Sequence, residues 1–144
     1  MIYNIKANNN SQLIRFYNQA IKELGSFYNL NWIYNKPNIF ILGTKEDVET
    51  CRKDTGLSKF KGASGWVGNA GVYVVSKDIY NKMIQPTDLN KEYLMLIKHE
   101  LSHLFFQQVS QFCSKPDWLW EGCAVYLSGQ NKYKKVPNKF QEFL

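Results

Sequence analysis

Residues 89–129 read LNKEYLMLIKHELSHLFFQQVSQFCSKPDWLWEGCAVYLSG. Apolar residues recur at helical spacing in two parts of this segment, residues 89–110 and residues 116–129, and predict two consecutive helices. A proline suits the first turn of the second helix, and Gly129 would end it. The loop between them lets the second helix fold back beside the first.

The first of these helices carries an H-E-x-x-H motif that runs from His99 to His103. Residues four apart on a helix share one face, so both imidazoles can bind a single ion. Glu100 projects about 100° away, to the side where a water on that ion would lie. The chain has two histidines and both belong to the motif. The pattern therefore predicts a zinc site; the alternative is a helix whose histidines only lie on a polar face.

Two histidines alone would hold zinc poorly, so a third protein ligand is expected. Glu121 lies on the second predicted helix, where it can reach the open side of the two imidazoles. The small residues Gly122 and Ala124 would let the two helices approach closely. We therefore predict one zinc ion per chain, bound by His99, His103 and Glu121.

The motif together with PDWLWEGCAVY at residues 116–126 resembles the gluzincin (peptidase MA-like) zinc metallopeptidases. The resemblance implies an α+β, zincin-like minimal metallopeptidase domain: a small mixed β-sheet with a backing helix, the H-E-x-x-H helix and the glutamate-ligand helix. It implies a zinc metalloendopeptidase that cleaves peptide or protein substrates, with Glu100 as the general base.

The same resemblance implies a substrate-binding strand upstream of the motif. Residues 71–75 would form an edge strand that pairs with an extended peptide. Asn69, Ala70, Gly71 and Tyr73 are the substrate-binding residues that this implies. An ordinary core strand is the alternative for the run, and the two interpretations are compatible.

Two departures from the family pattern concern catalysis. Many gluzincins have an acid four residues after the glutamate ligand, which orients a histidine, whereas this chain has Val125. They also supply a downstream donor for the oxyanion; here Tyr133 is the candidate, because Tyr126 lies about 140° around its helix from Glu121 and is expected to pack in the core. The alternative function is a catalytically weak or inactive zinc-binding domain of the same fold, acting in peptide or protein binding.

The sequence predicts one domain over residues 1–144. It comprises a helix and sheet subdomain (1–88), the zinc-binding helices (89–129) and a tail (130–144). Upstream of the motif we predict helices at 11–30 and 44–54, strands at 32–34, 39–42 and 72–75, and a surface loop at 57–71. Trp66 is expected to be exposed in that loop, where it could close over a cleft, whereas Trp120 and Cys123 are expected to pack.

The net charge of +6 raises the question of a polyanionic partner. The lysines are scattered except in the tail and no recognition helix accompanies them, so nucleic acid is an unlikely partner; the remaining nucleic-acid hypothesis treats the zinc site as an accessory. Three cysteines without metal-type spacing, no apolar leader and no membrane-length apolar run predict a cytoplasmic protein with no membrane association. Export of a processed form and the oligomeric state stay open.

Overall fold

The structure is a computed structural model, and it describes residues 2–5, 11–31, 36–56, 62–68, 70–111, 113 and 115–132. The predicted α+β class is confirmed. In chain order the elements are β1 (Ile2–Asn4), α1 (Ser11–Tyr28), β2 (Ile39–Leu42), α2 (Lys45–Asp54), β3 (Gly65–Gly68), β4 (Gly71–Val75), α3 (Lys77–Ile84), α4 (Leu89–Val109), α5 (Asp117–Ser128) and a 3₁₀ turn (Gln130–Lys132).

The four strands form one mixed sheet in the order β1-β2-β4-β3. β2 and β4 are parallel, whereas β1 and β3 run antiparallel to their neighbours. The connection between the parallel strands passes through α2, as a parallel pair requires.

The register separates the two faces of the sheet, because residues directly opposite each other point to the same side. Val74 pairs with Ile41 on one neighbour and with Gly65 on the other. A Cβ on Gly65 would touch Glu100 of α4, so this face packs against α4. Ile41 and Val74 are buried beneath that helix.

The opposite face carries a column of aromatic rings. Tyr73 stacks between Phe40 and Trp66, with ring centroids 5.2 Å and 5.8 Å away. Arg52 of α2 lies over the indole of Trp66 and donates to the backbone carbonyl of Ala63. This second face is therefore closed by aromatic stacking and by α2.

α4 is buried on nearly every side because α1, α5 and the sheet surround it. Its apolar residues Ile97, Leu101, Leu104 and Phe105 are buried in this packing. The burial also includes polar residues. Those of α4 are His99, Glu100, Ser102 and His103.

The helix ends follow local rules that the sequence already indicates. Thr44 and Asp47 form a capping box at the start of α2. Gly129 ends α5 with φ of 84°, a left-handed conformation that glycine adopts at little cost. None of the helices in the described part of the chain has the length and apolar character of a membrane span.

Several predictions about the sheet are wrong or untested. Residues 65–68 form strand β3 inside the predicted loop, and Trp66 is only 5% exposed, so it is not a mobile exposed aromatic. Glycines at both ends of β3 made the segment resemble a loop. The strand β1 and the helix α3 were not predicted. The strand predicted at 32–34 lies outside the described residues.

The prediction that residues 71–75 form an edge strand is also wrong. β4 lies between β2 and β3, so both of its backbone edges are already paired. An extended peptide therefore cannot add to it. The strand at the edge nearest α4 is β3 instead.

Candidate metal centre

The three predicted metal ligands come together where α4 meets α5. The Nε2 atoms of His99 and His103 are 3.1 Å apart. The carboxylate of Glu121 lies 3.2 Å from His103 Nε2 and 3.5 Å from His99 Nε2. Among the described residues, these three side chains form the group of His, Cys, Asp and Glu residues that lie close enough together to hold a metal ion.

These distances fit a tetrahedral ion. Ligands 2.0–2.1 Å from a tetrahedral centre are separated from one another by about 3.3–3.4 Å. The three observed separations, 3.1, 3.2 and 3.5 Å, bracket that value. The two Glu121 distances end on different carboxylate oxygens, Oε2 toward His99 and Oε1 toward His103, so the three side chains are close enough to share one ion.

The site is buried on the histidine side and open on the glutamate side. The side chains of His99 and His103 are 10% and 6% exposed, whereas that of Glu121 is 55% exposed. Glu121 is therefore the member of the group that faces solvent.

The charges of the site act differently on its three side chains. Hydrogen bonds from His103 and His99 hold the pKa of Glu121 well below its usual range, so Glu121 is ionised. Burial lowers the pKa of His103, which favours the neutral imidazole that can bind a metal. Burial also opposes protonation of His99, but hydrogen bonding to Glu121 and the nearby carboxylates outweigh it and raise the pKa of His99. The raised pKa of His99 works against metal binding, because only the neutral imidazole is a ligand.

The two imidazoles are supported in different ways. His99 donates from Nδ1 to Oε1 of Gln130, at 2.8 Å. The ring of His103 stacks on Trp120, with centroids 4.1 Å apart and planes 14° apart. Nδ1 of His103 is buried and has no hydrogen-bond partner within the described residues. On the side away from Glu121, one ring is therefore held by a hydrogen bond and the other by stacking.

Glu100 lies beside the ligands and against the sheet. Its side chain is buried, and a Cβ on Gly65 would come within 2.7 Å of its Cγ and 3.0 Å of its Oε1. The glycine therefore makes the space in which the Glu100 side chain lies. No other residue type fits at position 65 without moving Glu100.

The predicted substrate-binding residues do not converge on this site. Tyr73 points to the aromatic face, away from α4. Gly71 is buried and has φ of 144°, and a Cβ at this position would clash with the backbone carbonyl oxygen of Asn38. Ala70 lies in the exposed turn between β3 and β4, and Asn69 lies outside the described residues. The positive φ at the turn explains why position 71 is a glycine, and packing in the aromatic column explains Tyr73.

Two aromatic residues of α5 differ from what the sequence predicts. Tyr126 is 66% exposed, so the prediction that it packs in the core is wrong. Trp120 is half-buried against His103, which makes it part of the site rather than of the distant core. Cys123 is half-buried, and Tyr133 lies outside the described residues.

Sequence reasoning missed Gln130 as a functional residue because it treated residues 130–144 as a tail. The available signal was Gly129, since a glycine in the left-handed conformation turns the chain back across the end of its helix.

Comparison with known proteins adds no relative: no family model, no curated protein and no solved structure matches the chain.

Proposed function

We propose that this chain is a small zincin-like metallopeptidase of the gluzincin type, which binds one zinc ion and hydrolyses peptide bonds. The observation that carries the proposal is the meeting of His99, His103 and Glu121, with donor atoms 3.1–3.5 Å apart. Glu100 follows the first ligand directly and is buried beside the site.

The donor set favours zinc among the common ions. Two imidazole nitrogens and one carboxylate suit a borderline ion such as zinc, whereas calcium and magnesium prefer oxygen ligands. A catalytic site keeps one position open. The solvent-facing side of Glu121 provides that direction.

When bound, zinc would supply a Lewis acid that polarises the scissile carbonyl and makes water a nucleophile near neutral pH. Glu100 would take a proton from the attacking water and pass it to the leaving amine. Gly65 allows Glu100 to hold its position against β3. The exposed Glu121 and the buried histidines keep the reacting atoms at the rim of the protein.

The substrate is best accommodated along β3. In the described part of the sheet this strand is terminal, and β4 covers one of its edges. An extended peptide could add to the other edge by backbone hydrogen bonds. The role first expected of residues 71–75 therefore passes to residues 65–68, which lie beside Glu100.

The alternative is a zinc-binding domain of the same fold that binds peptides with little or no hydrolysis. It is favoured by Val125, which replaces the acid expected four residues after Glu121. The half-buried valine cannot orient a histidine by a hydrogen bond. Metal analysis and turnover together separate the two functions.

The first experiment measures metal in protein purified without chelators. We expect about one zinc per chain in the wild type, and little in His103→Ala. Gln108→Ala is the matched control, because Gln108 is exposed further along the same helix. A folded wild type that takes up no zinc when the metal is supplied would contradict the proposal.

The second experiment separates the base from a ligand. Glu100→Gln should retain zinc and lose about 10²–10⁴-fold in turnover of a generic peptide substrate. Glu121→Gln should weaken zinc binding as well. Zinc binding without measurable wild-type turnover would favour the binding domain, and loss of metal in Glu100→Gln would reverse the assignment of the two glutamates.

A further inference from the structure

We propose that Gln130 is a positioning residue that determines which nitrogen of His99 faces the metal. This inference rests on the proposed zinc site. It assigns a role to a residue outside the H-E-x-x-H motif and outside the glutamate helix.

The hydrogen-bond chemistry carries the first step. The amide oxygen of Gln130 has no proton, so it can only accept, and Nδ1 of His99 must donate at 2.8 Å. In a neutral imidazole with the proton on Nδ1, the lone pair lies on Nε2. That nitrogen is the one that faces His103 and Glu121, at 3.1 Å and 3.5 Å. Gln130 therefore favours the tautomer that can bind the ion, whereas the Glu121 carboxylate favours a proton on Nε2.

The chain geometry explains how Gln130 reaches His99. Gly129 ends α5 in a left-handed conformation, and the chain turns into the 3₁₀ turn that begins at Gln130. The backbone N–H of Gln130 donates to the hydroxyl of Ser128, at 3.4 Å. The helix that supplies the ligand Glu121 thus also delivers the residue that orients His99.

The type of residue matters as much as its position. His99 already lies near the carboxylates of Glu100 and Glu121, which raise its pKa. A third carboxylate would favour the protonated, non-binding imidazolium further. A neutral amide orients the ring without adding charge.

In the described segments the other histidine, His103, has no hydrogen bond like the one between His99 Nδ1 and Gln130. Its Nδ1 has no hydrogen-bond partner in the part of the chain that the structure describes. Beyond the contacts of its Nε2 with His99 and Glu121, the ring of His103 is restrained by stacking on Trp120. Among the described residues, Gln130 is therefore the side chain that hydrogen-bonds the Nδ1 of a histidine at the site.

The first test uses metal-free protein, so it does not depend on zinc. The chain has two histidines, and a long-range proton–nitrogen spectrum of nitrogen-15-labelled protein can therefore resolve both imidazoles. With both rings neutral, we expect His99 to carry its proton on Nδ1 in the wild type. Gln130→Leu should move the proton toward Nε2, whereas Gln130→Glu should keep it on Nδ1.

The second test measures zinc affinity by competition with a chelator. Gln130→Leu should weaken binding by about 10- to 100-fold, as loss of a hydrogen bond to a ligand typically does. Gln130→Glu should restore only part of that affinity, because its carboxylate also accepts from Nδ1 but adds negative charge that favours the protonated ring. Gln130 borders a cavity of about 280 Å³, so a leucine, whose side chain is one bond shorter, has room.

Asn131→Leu and Asn131→Asp are the matched controls, on an exposed neighbour in the same turn. They should leave the tautomer and the affinity unchanged. An unchanged His99 tautomer in Gln130→Leu would overturn the proposal, as would equal losses of affinity in Gln130→Leu and Asn131→Leu. A wild type that binds no zinc would overturn the proposed function alone, because the tautomer would still be decided.

Discussion

The two faces of β3 lie against different surroundings, one polar and one aromatic. On one face Gly65 lies against the buried carboxylate of Glu100. On the other face Trp66 stacks on Tyr73 beneath Arg52. Successive residues of one short strand thus serve a polar site and an apolar column, because side chains alternate along a strand.

The aromatic face of β3 contributes mainly to the stability of the fold, whereas the face toward α4 contributes to the proposed metal site. Burial of aromatic surface stabilises the fold, whereas burial of His99, Glu100 and His103 opposes it unless each polar group is paired. Substitutions on the aromatic face should therefore lower the free energy of unfolding without changing the metal site. Substitutions on the α4 face should change the site.

The largest effect on stability is expected from Trp66→Ala. Removal of a buried indole should lower the free energy of unfolding by about 3–5 kcal/mol, measured by urea denaturation. Zinc affinity of the folded protein should be unchanged. Trp118→Ala is the matched control, since Trp118 is 47% exposed and should change stability by less than about 0.5 kcal/mol. Loss of turnover at full stability would instead support a lid role for Trp66.

A pair of glycines compares the two faces directly. Gly65→Ala and Gly68→Ala should each destabilise by about 1–3 kcal/mol, because the first Cβ meets Glu100 and the second meets Tyr73 and Thr55. Gly65→Ala alone should also lower kcat, by about 10²-fold if Glu100 moves by an ångström. Zinc binding should persist in both variants.

A double-mutant cycle checks the cause of that effect. Adding Glu100→Ala should relieve the destabilisation of Gly65→Ala but not that of Gly68→Ala. If the two glycine variants lowered kcat equally, the contrast between the faces would fail. If neither lowered it, Gly65 would be a residue of the fold alone.

The smallest effect concerns the outer side of α4, where Lys98 pairs with Glu23 of α1. Hydrogen bonding to Lys98 and Gln19 lowers the pKa of Glu23. A lowered pKa contributes stability above the unfolded value of about 4.3, and that contribution is lost as the pH falls through the folded value. The glutamate is 46% exposed, so screening limits the pair to about 0.2–1 kcal/mol.

Glu23→Gln should therefore lower the free energy of unfolding by that amount at pH 7. The difference from wild type should shrink below about pH 4, as Glu23 becomes protonated. Glu46→Gln, at an exposed position in α2, is the control. A loss that persisted unchanged in acid would show that packing of the side chain, and not its charge, stabilises the α1–α4 contact.

Local chemistry made the centre of the site predictable. Spacing four along a helix brings His99 and His103 together wherever the helix lies, and the caps at Thr44 and Gly129 depend on adjacent residues alone. The pairing of Glu121 with the histidines needed only a second helix and a short return. These features could be predicted from the sequence alone.

The remaining features depend on contacts between residues distant in the chain. The central place of β4 follows from which strands pair, and a segment rich in glycine does not reveal that it will become β3. Gln130 belongs to the site because the turn after Gly129 aims it at His99, thirty-one residues away. Helical spacing is set by the covalent chain, whereas strand order and the direction of a turn are set by the packing of the whole fold.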